Sequence, residues 1–81
     1  MKKYKKIYLD HFGYGQQDYV PSEVSGAQAS DIHHICFRSH CGLDEIENLI
    51  ALTREEHIRA HADPAYNEML KEVHKNKLKG I

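Results

Sequence analysis

The chain has 81 residues with a net charge of −1, and 7 of the residues are histidine. A chain this short removes only about 60–65% of its unfolded surface from water, so a fold of this size commonly relies on a metal, disulfides or a partner. The composition excludes a strongly basic nucleic-acid binder, and no apolar run is long enough for a signal peptide or a membrane span.

In chain order, Tyr4, Ile7, Tyr8 and Phe12 recur at helical spacing, and Gly13 stands where a C-cap glycine would. The segment GYGQQDYVPSEVSG is rich in turn formers and reads as loop. AQASDIHHICF turns strand-like towards its end, with Ile32, Ile35 and Phe37 among polar residues. RSHCGLDE is loop again, and NLIAL (48–52) is a short apolar strand with a turn or helix fragment just before it. Thr53 followed by Glu56 is a capping box, which predicts a helix from Arg54 to about Ala62. Asp63-Pro64 then places an N-cap before proline at the first helical position. The last helix carries Tyr66, Met69, Leu70 and Val73 on one face and ends at Gly80. The order helix, strand, strand, helix, helix predicts a small α+β fold, with all 81 residues in one domain.

Cysteine usage points the same way as length. A bridge between Cys36 and Cys41 would close too short a loop to stabilise much, so reduced thiols and a cytoplasmic location are the simplest reading. A metal is then the expected staple. The charges are uneven: Lys2, Lys3, Lys5 and Lys6 near the start and Lys71, Lys75, Lys77 and Lys79 near the end flank an acidic middle. Such lysines could contact phosphate, although a solvated surface accounts for them more simply.

The histidines are where composition becomes chemistry. His57 and His61 are four apart on the predicted helix, so their rings share one face. A hairpin folded onto that helix would bring His33 beside them, and three neutral imidazoles with coordination positions left open is the pattern of a catalytic metal site. His33 and His34 are adjacent on a predicted strand, so their rings leave opposite faces. His34 is thereby free to act on something bound near the metal, and an imidazole can take a proton from water near neutral pH.

The ordered set His33-His34, Asn48, His57, His61 resembles the HNH endonucleases, the ββα-metal or His-Me finger nucleases. Thirteen residues lie between His34 and Asn48, eight between Asn48 and His57, and three between His57 and His61. The double histidine is similar to that of the colicin-type DNases, and ENLIALTREEHIRAH looks like the family's second half. The resemblance covers roughly residues 20 to 63 and implies a ββα-metal core with flanking N- and C-terminal helices, the latter over about 64–79. It implies that His33, His57 and His61 bind a divalent metal, that His34 is the general base for phosphodiester hydrolysis, and that Asn48 orients the loop or the base. The metal is left open among Zn²⁺, Ni²⁺, Mg²⁺ and Mn²⁺. DNA is the implied substrate, and a protein partner or a homodimer is compatible with the chain's size. Asp31 shares a strand face with His33 and could fix that ring, while Arg38, ahead of Arg54 and Arg59, is the first choice for gripping phosphate.

One departure is evident. Many small HNH proteins carry a structural zinc on paired Cys-x-x-Cys motifs, and the matching positions here are Ser22-x-x-Ser25 and Thr53-x-x-Glu56. Without those thiols, the fold is expected to lean on its flanking helices or on a partner. The rival expectation is a metal-stabilised module that binds DNA or protein without catalysis.

Overall fold

The computed structural model describes residues 2–37 and 42–80. Helix α1 (Lys3–Phe12) is followed by a long loop and strand β1 (Asp31–His34). A 3-10 turn (Ile46–Asn48) leads into strand β2 (Leu49–Leu52), then helices α2 (Arg54–Ala62) and α3 (Pro64–Leu78). This is an α+β fold with a ββα core, the class and element order predicted above.

The strands pair antiparallel, with His33 opposite Ile50 and His34 opposite Leu49. A two-stranded ribbon is marginal by itself in water, and here both faces are covered. Ile50 and Leu52 pack with Ile35, Ala60, Tyr66 and Leu70 on the side of α2 and α3. Leu49 and Ala51 pack with Tyr8 and the rest of the apolar face of α1 on the other. Every residue of β2 is fully buried, which explains why NLIAL reads as a continuous apolar run rather than an alternation.

Local signals set the helix ends. Gly13 takes φ 76° at the end of α1, a conformation open to glycine. Thr53 and Glu56 form the reciprocal capping box at the start of α2. Asp63 alone separates α2 from α3, and its carboxylate accepts from the backbone N–H groups of Ala65 and Tyr66. The one extended residue between them interrupts the helical backbone, so α2 and α3 are separate helices joined at Asp63.

Two expectations need correction. Met69 is 42% exposed, and the buried stripe of α3 is Tyr66, Leu70 and His74, flanked by Val73. A spacing of four places these residues on one line, and Met69 lies one position off it. Strand β1 also stops at His34, short of Phe37. Beyond it the side chain of Asn48 takes over the pairing, accepting from the Cys36 N–H at 2.6 Å and donating to the Cys36 carbonyl at 3.0 Å.

Buried polar contacts tie the flanking segments to this core. His74, 1% exposed, bonds through Nδ1 to the Glu23 carboxylate at 2.9 Å and through Nε2 to the Ile46 carbonyl. Tyr8 donates its hydroxyl to the same carboxylate at 2.6 Å. One cluster therefore joins α1, the long loop, the 3-10 turn and α3. Burial lowers the pKa of His74, but its bonds to Glu23 and Ile46 outweigh this and raise it overall. A second polar knot forms around Ser22, Thr53 and Glu56. Ser22 donates to Glu56 and accepts from the N–H groups of Val24 and Ser25, while Glu56 also accepts from the Thr53 N–H. Burial alone would raise the Glu56 pKa; the bonds from Ser22, the Thr53 backbone and Ser25 outweigh it and hold the carboxyl below its ordinary value.

Candidate metal centre

His33 leaves β1 on the face that meets α2, where His57 and His61 project from successive turns. The ring centroids of His33 lie 4.9 Å from His57 and 5.3 Å from His61, and those of His57 and His61 are 4.9 Å apart. One nitrogen from each ring falls within 4.8 Å of the others, close enough for the three to share an ion. The Nε2 atoms of His57 and His61 are 3.2 Å apart. Two nitrogens each about 2.0–2.1 Å from a tetrahedral ion sit about 3.3 Å apart, so this pair already has ligand spacing. Burial decreases from His33 through His57 to His61, so the cluster is closed on the core side and open towards solvent.

Neighbouring groups determine which nitrogens carry lone pairs. Asn67, one turn into α3, donates through Nδ2 to the Ile35 carbonyl at 2.8 Å. That orientation presents its Oδ1 to His33 Nε2 at 2.8 Å. His33 must therefore hold its proton on Nε2, which leaves Nδ1 with the lone pair. Asp31 accepts from His57 Nδ1 at 3.0 Å, so the lone pair of His57 is on Nε2. Asp31 is in turn paired with Arg54 at 3.3 Å. Carboxylate or amide partners on the far nitrogen are what orient metal-binding histidines elsewhere. Asp31 thus does contact an imidazole, but that of His57 and not of His33 as the strand register suggested; His33 is served by Asn67. Burial pulls His33 down to about 4, the nearby imidazoles pull the same way, and the Asn67 bond opposes them. The ring is neutral at pH 7, the form in which it can bind a cation.

His34 emerges on the opposite face. Its ring packs edge-on to Tyr4 of α1 with centroids 4.6 Å apart, and its Nε2 is 2.7 Å from Asp44 Oδ1. Asp44 thereby fixes the proton on Nε2 and leaves Nδ1 as the basic nitrogen. Asn48 spans the base of the loop between the strands, bonding both backbone groups of Cys36 and donating to the Leu43 carbonyl at 3.1 Å. Arg38 lies outside the described residues, as do His40 and Cys41. Arg59 stacks over the Tyr66 ring at 4.3 Å, and Arg54 is held by Asp31.

Sequence reasoning missed Asn67, Asp44 and Phe37, whose ring stacks on His61 with centroids 4.7 Å apart. Asn67 did leave a trace, because asparagine is a poor interior residue in an otherwise strong helix. Asp44 left none within a polar loop. Comparison with protein-family models, with curated proteins and with solved structures gives no match.

Proposed function

We propose that this chain is a metal-dependent endonuclease of the HNH type that hydrolyses phosphodiester bonds in DNA. The observation that carries the reading is the convergence of His33, His57 and His61, with the lone pairs of two of them assigned by Asn67 and Asp31. All-imidazole donors fit Zn²⁺ or Ni²⁺ well and do not exclude Mg²⁺ or Mn²⁺. When bound, the ion supplies positive charge against the phosphate and the leaving 3′ oxygen. His34 takes the proton of the attacking water at Nδ1, and Asp44 holds the ring and stabilises the imidazolium that results. Asn48 keeps the loop between the strands in register with His34. A cytoplasmic location belongs to the same reading, and among the described residues no helix is long and apolar enough to cross a membrane.

The second reading is a metal-stabilised binding module without catalysis. It is favoured by the enclosure of His34, whose side chain is only 10% exposed beneath Tyr4. A supercoiled-plasmid nicking assay with Mg²⁺, Mn²⁺, Ni²⁺ or Zn²⁺ separates the two. The nuclease reading expects nicking that falls at least about a hundredfold in His34→Ala while metal binding persists. Equal activity in His34→Ala removes His34 as the base, and no nicking with any of the ions leaves the binding module.

A further inference from the structure

Beyond the histidines, α3 carries a feature that the metal centre does not use. Asn67, Lys71, Lys75 and Lys79 follow one another at intervals of four, so they form one ridge that starts at the residue holding His33. Each step advances about 6 Å along the helix axis. The lysines border a groove of about 460 Å³ whose apolar lining includes Ile35 and Leu78 and which also reaches Asn48. Glu47 is the one carboxylate on this groove among the described residues, against three ammonium groups; His74 borders it too, but its charge is matched by Glu23. Lys77, the other lysine near this end, faces away over the Phe12 ring. Lys71 pairs with Glu68 in an exposed contact of a kind that yields readily to a stronger anion.

We propose that this groove and its lysine ridge bind the phosphodiester backbone of a nucleic acid and lead one strand along α3 to the histidine centre. The direction of the strand rests on the nuclease reading; the binding itself does not. Charge complementarity identifies the occupant: three cations in a line over about 12 Å match a polyanion with a phosphate every 3.4 Å or so of each strand. The apolar lining beside them suits the deoxyribose faces of the same strand. An acidic peptide would satisfy the charges, but nothing would align it with Asn67 and the metal ligands.

The test is fluorescence anisotropy of the full chain with a short fluorescein-labelled DNA duplex, in EDTA so that cleavage plays no part, across a series of salt concentrations. Each phosphate contact contributes about 0.9 to the slope of log affinity against log salt. The triple variant Lys71→Ala, Lys75→Ala, Lys79→Ala is expected to lose about 2 to 3 from that slope and more than about tenfold in affinity at low salt. The charge-matched control Lys3→Ala, Lys6→Ala, Lys77→Ala is expected to lose less than about 1. Should the triple variant melt early, the single exposed change Lys75→Glu tests the same ridge and is expected to lower the slope by about 1. Equal slopes for the two triple variants overturn the proposal. So does a groove variant that loses binding to poly-glutamate and keeps its binding to DNA. A failure of nicking with every metal, alongside the expected slopes, removes the nuclease reading and leaves this surface in place.

Discussion

Replacing Asn67 probes the link between packing and metal chemistry. Asn67→Ala removes the acceptor of the His33 Nε2–H and the donor to the Ile35 carbonyl, each bond 2.8 Å long. His33 is 1% exposed and Ile35 3%, so water has poor access to either group. Leaving a buried polar group unpaired costs about 1–3 kcal/mol. If the vacated space admits one water to bridge the two groups, the net loss is about 2 kcal/mol, or roughly 10 °C in melting temperature for a domain of this size. The same substitution frees the His33 tautomer and is expected to weaken metal affinity 10- to 100-fold or so. Asn67→Asp separates the two effects. It keeps an acceptor for Nε2–H and makes the ring more basic, so metal binding stays at or above the wild-type level. It also sets a carboxylate against the Ile35 carbonyl, so the metal-free protein still melts early. Zinc titration against a chromophoric chelator and thermal unfolding in EDTA measure both quantities. Wild-type metal affinity in Asn67→Ala would refute the assignment of the His33 lone pair.

Metal-free stability should depend on pH through two histidines of opposite sign. The folded pKa of His33 is about 4, below the unfolded value of about 6.5, so its contribution is complete above 6.5 and is lost on acidification towards 4; it amounts to something on the order of 3 kcal/mol. The folded pKa of His74 is raised, so its contribution is complete below about 6.5 and is lost as pH rises through the folded value. Melting in EDTA is therefore expected to peak close to neutrality, and His74→Gln should flatten the alkaline limb alone. At Gly42, an added Cβ would collide with the Cys36 carbonyl oxygen and lie 2.7 Å from that of Phe37. Gly42→Ala should force the loop off the Asn48 clamp, costing about 2–3 kcal/mol and abolishing nicking while zinc stoichiometry is retained. Ser22→Ala removes the donor to Glu56 and the acceptor for two backbone N–H groups, and should lower the melting temperature by roughly 5–10 °C without changing metal affinity.

The parts of this fold that could be read from residues are those set by short-range chemistry. The bounds of α2 follow from a capping box and an Asp-Pro step, and α1 ends at the glycine that its spacing singled out. The three metal-ligand candidates were legible because a four-residue spacing and a strand register each fix a face before any tertiary contact exists. What escaped depends on how the elements meet. Asn67 reaches His33 only because of how α3 packs against the strand, and the Asp-Pro step marks where α3 begins without fixing that packing. Met69 and His74 exchanged places because hydropathy favours methionine, whereas the packing angle and the Glu23 carboxylate favour a protonated imidazole. Asp31 was placed on the correct face but paired with the wrong histidine, since that face is shared by residues from both elements.

The proposed chemistry depends on His33, His57 and His61 sharing one cation, with the lone pairs of His33 and His57 set by Asn67 and Asp31. Diffraction from zinc-soaked crystals at the zinc absorption edge measures this directly. The predicted result is a single anomalous peak about 2.0–2.1 Å from His33 Nδ1, His57 Nε2 and His61 Nε2, with solvent completing the coordination. A peak bound through His33 Nε2, a peak away from this cluster, or none at all would contradict it.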